Sequence, residues 1–343
     1  MKRLNRITLT ILALVFLPFS AQAWTRSPAA TFATLPAGTA NPEGITVDSA
    51  GNVYVTTFAV TKPGTLGQLF VFSSNGSLLR QVSIAGSSNL LLDLAFHPKT
   101  GKLLVIDFGA QNVLTVDPVT GASSVFTTIP GGAAAGPNVL TFDKQGNVYI
   151  SDSFQGIVWR TGRDGGTATA WVTDPLLGTT GVPPFGANGL AFNKMETALF
   201  VANTGNDTVV KIPVVRGTPG TPGVFANSIN GADGLIIDDD DNIWVAANQA
   251  DEIVVLDPSG RAIAKLGDFD GIDAQGEPIG LLFPASLVRS GDFIYVTNLA
   301  LDLRLFGLAQ SVDSQWAAQV TTHTVAKIPA RLPPIRGLPK SED

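Results

Sequence analysis

Glu43, Asn138, Asn188 and Asp233 each stand just ahead of a short apolar run, in NPEGITVD, GPNVLTFD, GANGLAFN and GADGLIID. Asp93 holds a similar place in LDLAFHP, and a sixth run begins near Ala285 or Ser286. These carboxylate and carboxamide side chains offer the oxygen donors that hard cations prefer. Carboxylates gathered at one spot repel each other and lose hydration, and a divalent cation relieves both costs. An all-oxygen set without Cys or His suits Ca2+ first and Mg2+ or Mn2+ next, with Zn2+ a further alternative. Taken singly, each residue also reads as a cap on a strand start, bonded to local backbone. The return of four of them at one repeat position favours a shared site.

The elements that must position them recur along the chain. EGITVDSAGNVYVTT from Glu43, LDLAFHPKTGKLLVID from Leu92, NVLTFDKQGNVYISD from Asn138, NGLAFNKMETALFVAN from Asn188, DGLIIDDDDNIWVAA from Asp233 and ASLVRSGDFIYVTN from Ala285 share one pattern. Each is an apolar run, a polar turn, and a second run rich in β-branched and aromatic residues, which predicts two paired strands. Two further strand signals follow, such as VLTVDPVTG with SSVFTTI and IVVLDPSG with AIAKL. Four strands per unit at a period of about 45 to 50 residues predicts an all-β chain, a six-bladed propeller rather than a solenoid. The last unit lacks a fourth strand, and ATFATLPAG from Ala30 resembles the fourth strand of the second unit, SVFTTIPGG from Ser124. The N-terminal strand, residues 30–36, therefore closes blade six, which leaves no open sheet edge in the ring.

This topology sorts residues by face. The starts of the innermost strands, the loops before them and the links from second to third strands share one rim, here called the top. Glu43, Asp93, Asn138, Asn188 and Asp233 then converge on the central channel, and the loops 131–137, 178–187 and 270–283 are expected around its mouth.

The four anchors, in their order across blades one, three, four and five, resemble the metal-binding Glu, Asn, Asn and Asp of the gluconolactonase and regucalcin-like (senescence marker protein-like) six-bladed propellers. Diisopropyl fluorophosphatase and the paraoxonases share that site. The resemblance covers nearly the whole chain after residue 23, although single motifs such as NGLAF followed by LFVANTGN occur in many propellers. It implies a metal-dependent hydrolase that opens a lactone or cleaves a related ester. On that reading Glu43, Asn138, Asn188 and Asp233 hold the metal, which stabilises the oxyanion as a Lewis acid. Asp233 activates water or attacks directly, Asn138 and Asn188 also orient substrate, and Asp93 is a substrate-binding or supporting group.

The chain departs from the paraoxonase pattern, which sets a histidine dyad above the calcium. Its two histidines are His97, in the bottom turn HPKTG, and His323, at a blade-six strand start, and neither is placed to act as a general base. The run 238–241, four consecutive aspartates, falls in a bottom turn and lacks the spacing of an EF-hand loop. Gly217, Gly220 and Gly223 lie among prolines and read as a loop. The insertion 299–322, on the top face of blade six, carries Leu299, Leu301, Leu303, Leu305, Phe306, Leu308 and Trp316. It either packs on the rim or forms a lid over an apolar pocket, which would favour a hydrophobic lactone or ester over a free sugar lactone.

The start of the chain predicts export. Lys2, Arg3 and Arg6 precede the uncharged apolar run 7–19, and Ala21-Gln22-Ala23 offers a small-x-small cleavage pattern. The expected organisation is a signal peptide 1–23, a propeller 24–332 and a tail 333–343, in a periplasmic or secreted protein without a stable membrane span. Loss of the signal leaves 19 of the 22 basic residues against 28 acidic ones, which disfavours nucleic acid as a partner and leaves a small molecule as the expected one. The chain has no cysteine, so neither a disulfide frame nor thiolate chemistry is available. Fold alone never establishes activity, so a non-catalytic propeller that binds a ligand or partner protein is the alternative.

Overall fold

The computed structural model describes residues 26–308 and 313–332. The expected signal segment and C-terminal tail lie outside them. Six antiparallel sheets follow one another along the chain, each with at least four strands. Blade one runs Asn41–Val47, Val53–Phe58, Gln68–Phe72 and Leu78–Ser83, and the later blades repeat this order outward from the centre. The first strands of successive blades touch one another all the way round, so they form the wall of a closed channel. Blade six takes its outermost strand from the other end of the chain: Ala30–Thr34 pairs antiparallel with Thr324–Pro329, with Ala30 opposite Lys327. The expected six blades and their closure are thus both present.

The middle strands are buried on both faces, as in Val53–Phe58 and Ile243–Ala247, because each blade is pressed between two neighbours. That is why VYVTTF and IWVAA read as continuous apolar and β-branched runs rather than alternating ones. Separate hydrophobic cores fill the gaps between blades, among them Leu69, Val71 and Leu103 between blades one and two, and Val245, Val254 and Phe200 between blades four and five. The outer strand Leu78–Ser83 alternates instead, with Leu78 and Leu79 exposed.

A polar clamp recurs in the bottom turns. Asp48 Oδ2 accepts from Asn52 Nδ2 at 2.8 Å and from Tyr54 Oη at 3.0 Å. Asp143 repeats this with Asn147 and Tyr149, and Asp238 with Asn242 and Trp244. The aspartate run is therefore a turn of the same type as DSAGN and DKQGN. Gly51 and Gly146 adopt φ of +80° and +89° there, and Asp241 takes the corresponding left-handed position at +59°.

Two segments differ from expectation. Residues 269–280 form an extra hairpin, Phe269–Ile272 with Pro278–Gly280, which reaches the outer strand of blade six through Thr34 Oγ1 and Glu277 Oε1, 3.1 Å apart. Only Phe283, from the end of the 270–283 segment, reaches the channel mouth. Within the glycine- and proline-rich stretch after Val215, Thr218–Pro219 pairs back on Thr208–Val215, so part of that loop is a short ladder.

Candidate functional site

In every blade the ladder between first and second strands slips at the same place: between Pro42 and Ile45, Leu91 and Leu94, Pro137 and Leu140, Ala187 and Leu190, Ala232 and Leu235, and Pro284 and Leu287. Each slip leaves two residues out of the regular ladder, and such irregularities re-aim side chains. The first of the two is Glu43, Leu92, Asn138, Asn188, Asp233 or Ala285. Glu43, Leu92, Asn138, Asn188 and Asp233 line a single cavity of about 40 Å³, room for roughly three waters or a partly hydrated ion. The four residues of the expected metal set thus meet in one place.

Asp93 does not share that position. Register makes Leu92 the counterpart of Glu43 and Asn188, and Asp93 the counterpart of Gly44, Gly189 and Gly234. That second position faces the next blade: a Cβ on Gly44 would collide with Leu92 O, and one on Gly189 with Asp233 O. Asp93 accordingly reaches sideways, and its Oδ2 accepts from Leu140 N of blade three at 3.0 Å. It is buried but does not line the cavity.

The hydrogen bonds fix which atoms face the cavity. Asn138 Nδ2 donates to Ser153 Oγ at 3.0 Å, Asn188 Nδ2 to Thr204 Oγ1 at 3.0 Å, and Asn248 Nδ2 to Asp233 Oδ2 at 2.9 Å. Ser153 and Thr204 in turn donate to Ala187 O at 2.7 Å and Ala232 O at 2.8 Å, the backbone just ahead of the next anchor. With each amide nitrogen engaged, the oxygens are left over. Glu43 Oε2, Asn138 Oδ1 and Asn188 Oδ1 are buried and find no donor in the protein; Asn248 Oδ1 is also without a donor but packs against Gly231 rather than facing the cavity. An unsatisfied buried polar atom costs roughly 1–3 kcal/mol, and three on one small cavity point to a ligand that accepts their lone pairs.

The electrostatics agree. Burial, then the nearby charges of Asp233 and Asp93, pushes the Glu43 carboxyl well above its usual range. Burial raises Asp233 to about 7 against the pull of Asn248 and Asn188, and raises Asp93 to about 7 despite the bond from Leu140 N. A divalent cation would reverse these shifts, and two carboxylates with carboxamide oxygens are a donor set that fits a hard ion. Among the described residues no three His, Cys, Asp or Glu side chains cluster as a metal site. The fit therefore depends on the carboxamides.

Sequence reading missed Asn248, together with the hydroxyls of Ser153 and Thr204. They occupy one repeat position, the residue after the last paired residue of the second strand, visible in aligned form as ISDS, VANT and VAAN. Neither histidine approaches the cavity. His97 is buried in the bottom turn, where its Nε2 lies 2.9 Å from Gly146 O and its Nδ1 accepts from Lys99 N at 3.1 Å. His323 is pushed down to about 4 by burial and by the charge of Lys62.

The insertion supplies Leu299, Leu301 and Leu303 to the cavity wall, whereas Leu305 and Trp316 stay exposed. Pro183 and Phe185, from the loop before blade four, complete the rim.

Comparison with known proteins bears on this arrangement. Residues 137–267 match the family described as the SMP-30/Gluconolactonase/LRE-like region. No curated protein matches the sequence. Among solved structures, a luciferin-regenerating enzyme superposes with a TM-score of 0.63 at 16% identity, covering 85% of this chain and 92% of its own. The calcium-binding protein regucalcin from Agrobacterium tumefaciens gives 0.59 at 17% identity over 91% of this chain and 99% of its own. Virginiamycin B lyase from Staphylococcus aureus, in a complex with quinupristin, gives 0.55 at 13% over 88% of each chain. At such identities the structures show a shared fold. The matched residues span blades three to five, so the part of this six-bladed propeller that contributes Asn138, Asn188, Asp233 and Asn248 carries the SMP-30/gluconolactonase/LRE-like signature.

Proposed function

We propose that the chain is a divalent-cation-dependent hydrolase that opens a lactone or cleaves a related ester in the top of its channel, with Ca2+ the preferred ion. The observation that carries this reading is the set of three orphaned oxygens, from Glu43, Asn138 and Asn188, around a cavity that Asp233 also lines. The family match and the likeness to a regucalcin described as calcium-binding support it.

Glu43, Asn138, Asn188 and Asp233 would hold the cation, with Asn248 beside them. When bound, the cation supplies Lewis-acid polarisation of a substrate carbonyl and stabilises the negative charge that develops there. Asp233 is the group that handles the proton. Its Oδ2 is tied to Asn248 Nδ2, which restrains the carboxylate that would take a proton from an attacking water. Asn138 and Asn188 are held by Ser153 and Thr204 and so present carbonyl oxygens without rotamer freedom. Apolar walls from Leu92, Phe283 and Leu299 keep bulk water out, which strengthens every polar contact inside.

The test is a panel of lactones and aryl esters assayed in CaCl2, then in EDTA, then after Ca2+ is restored. Hydrolysis that disappears with EDTA and returns with the metal is expected. Turnover untouched by chelation would overturn the cation's role. Calorimetric Ca2+ binding without turnover on any lactone or ester would instead favour a non-catalytic binding propeller.

A further inference from the structure

The channel mouth is chemically divided. The residue that opens each inner-strand slip, and on the second strand the residue after the one paired just ahead of that slip, give two rings around the axis. In blades three to five both are polar: Asn138 with Ser153, Asn188 with Thr204, Asp233 with Asn248. In blade two both are apolar, Leu92 with Phe108, and in blade six likewise, Ala285 with Leu299. Blade one joins the halves, with Glu43 on one ring and Phe58 on the other.

The apolar half opens into a second cavity of about 360 Å³, which shares Phe58, Pro183, Phe185 and Leu303 with the polar one. That volume lies within the range of small-molecule pockets. Phe108 stands at its centre, with ring centroids 6.0 Å from Phe58, 5.6 Å from Phe154 and 6.2 Å from Phe185. Among the described residues no charged side chain lines it, and the one polar side chain on its wall, Asn89, has its Nδ2 committed to Ala59 O at 2.7 Å. A sugar placed there would leave its hydroxyls without partners, which such a wall penalises. Phe154 and Phe306 are 48% and 42% exposed at its edge, so the groove is open to solvent along an aromatic rim.

We propose that this groove is a subsite for an apolar acyl or aryl group, so that the substrates are lactones or esters with a hydrophobic tail. The ester group sits on the polar half, and the tail runs over Phe58 to Phe108 between Pro183 and Leu303. This rests on the hydrolase reading for the reaction, but the subsite can be tested without turnover.

The kinetic arm measures kcat/KM in CaCl2 on γ-lactones whose saturated side chain lengthens from methyl to octyl. A rise of about two- to fourfold per methylene is expected until the groove is filled. Phe108→Ala should flatten that dependence, so that its loss in kcat/KM grows with chain length and is smallest on γ-valerolactone, and the more exposed Phe154→Ala, which guards against a folding defect, should do so more weakly. The binding arm titrates N-phenyl-1-naphthylamine by fluorescence in EDTA. Saturable binding that γ-dodecalactone displaces, and that both substitutions weaken, is expected. A kcat/KM that ignores chain length, or dye binding unchanged in both variants, overturns the subsite. If no lactone is hydrolysed yet the dye binds and both variants weaken it, the subsite stands and the hydrolase reading is what fails.

Discussion

Replacing Asp233 with asparagine should stabilise the cation-free protein at alkaline pH while removing the proposed hydrolysis. In the fold, burial lifts the Asp233 carboxyl from its ordinary 3.8 to about 7. A carboxyl raised in the folded state costs nothing when both states are protonated. The cost begins as pH climbs past 3.8 and is complete above about 7. Roughly three pH units at about 1.4 kcal/mol each give a ceiling of about 4 kcal/mol. The substituted side chain stays neutral throughout, and loss of the charge also relieves Glu43, whose carboxyl is raised in part by Asp233. The new amide must still find hydrogen-bond partners, so a net gain of about 1–3 kcal/mol at pH 8 is expected, turning into a loss of about 1–2 kcal/mol near pH 4, where the carboxyl's cost has gone. For a domain of this size the gain corresponds to roughly 2–8 °C in Tm. The assay is a set of thermal melts of both proteins at pH 4, 6 and 8, in EDTA and in excess CaCl2. Ca2+ at a hundredfold excess over its Kd would add about 2.7 kcal/mol to the wild type, and distinctly less to the variant, which has lost one anionic ligand. Two results would refute the reasoning: a variant in EDTA destabilised equally at pH 4 and pH 8, or one that gains as much from Ca2+ as the wild type.

Asn248→Ala should move the acid limb of the kcat/KM profile to higher pH, because the lost donor had favoured the charged form of Asp233. In saturating CaCl2 activity should fall on the acid side of the profile and recover as pH rises, and a profile with an unmoved limb would show that Asn248 does not act through Asp233. Ring closure predicts that Leu35→Ala, 1% exposed beside the closing strand with its N–H bonded to His323 O at 2.9 Å, lowers global stability by about 2–5 kcal/mol. Leu79→Ala, on the outer strand of blade one and 55% exposed, should change it by under about 0.5 kcal/mol, so equal Tm shifts would contradict the closure.

The local repeat determined most of the fold. Apolar runs, polar turns and β-branched second strands return often enough for six blades to be legible, because the hydrogen bonds of blades one to five are each made within one stretch of some 45 to 50 residues, and the N-terminal closure is legible because the last unit lacks the strand that the first residues repeat. Glu43, Asn138, Asn188 and Asp233 were legible for the same reason: they share a repeat position. What repeats could not decide is register to a single residue. Leu92 and Asp93 are adjacent, and only the slip in the ladder shows that Leu92 faces the cavity while Asp93 turns toward Leu140. One residue of shift reverses the side of a strand on which a side chain lies. Asn248 stayed hidden because VAAN looks like the end of an ordinary strand until the ring brings its amide to Asp233. The aromatic groove likewise draws Phe58, Phe108 and Phe154 from three blades, and the raised carboxyls of Glu43 and Asp233 arise from burial shared across the ring. Such properties belong to distances between blades, which ring closure sets and no single stretch of sequence contains.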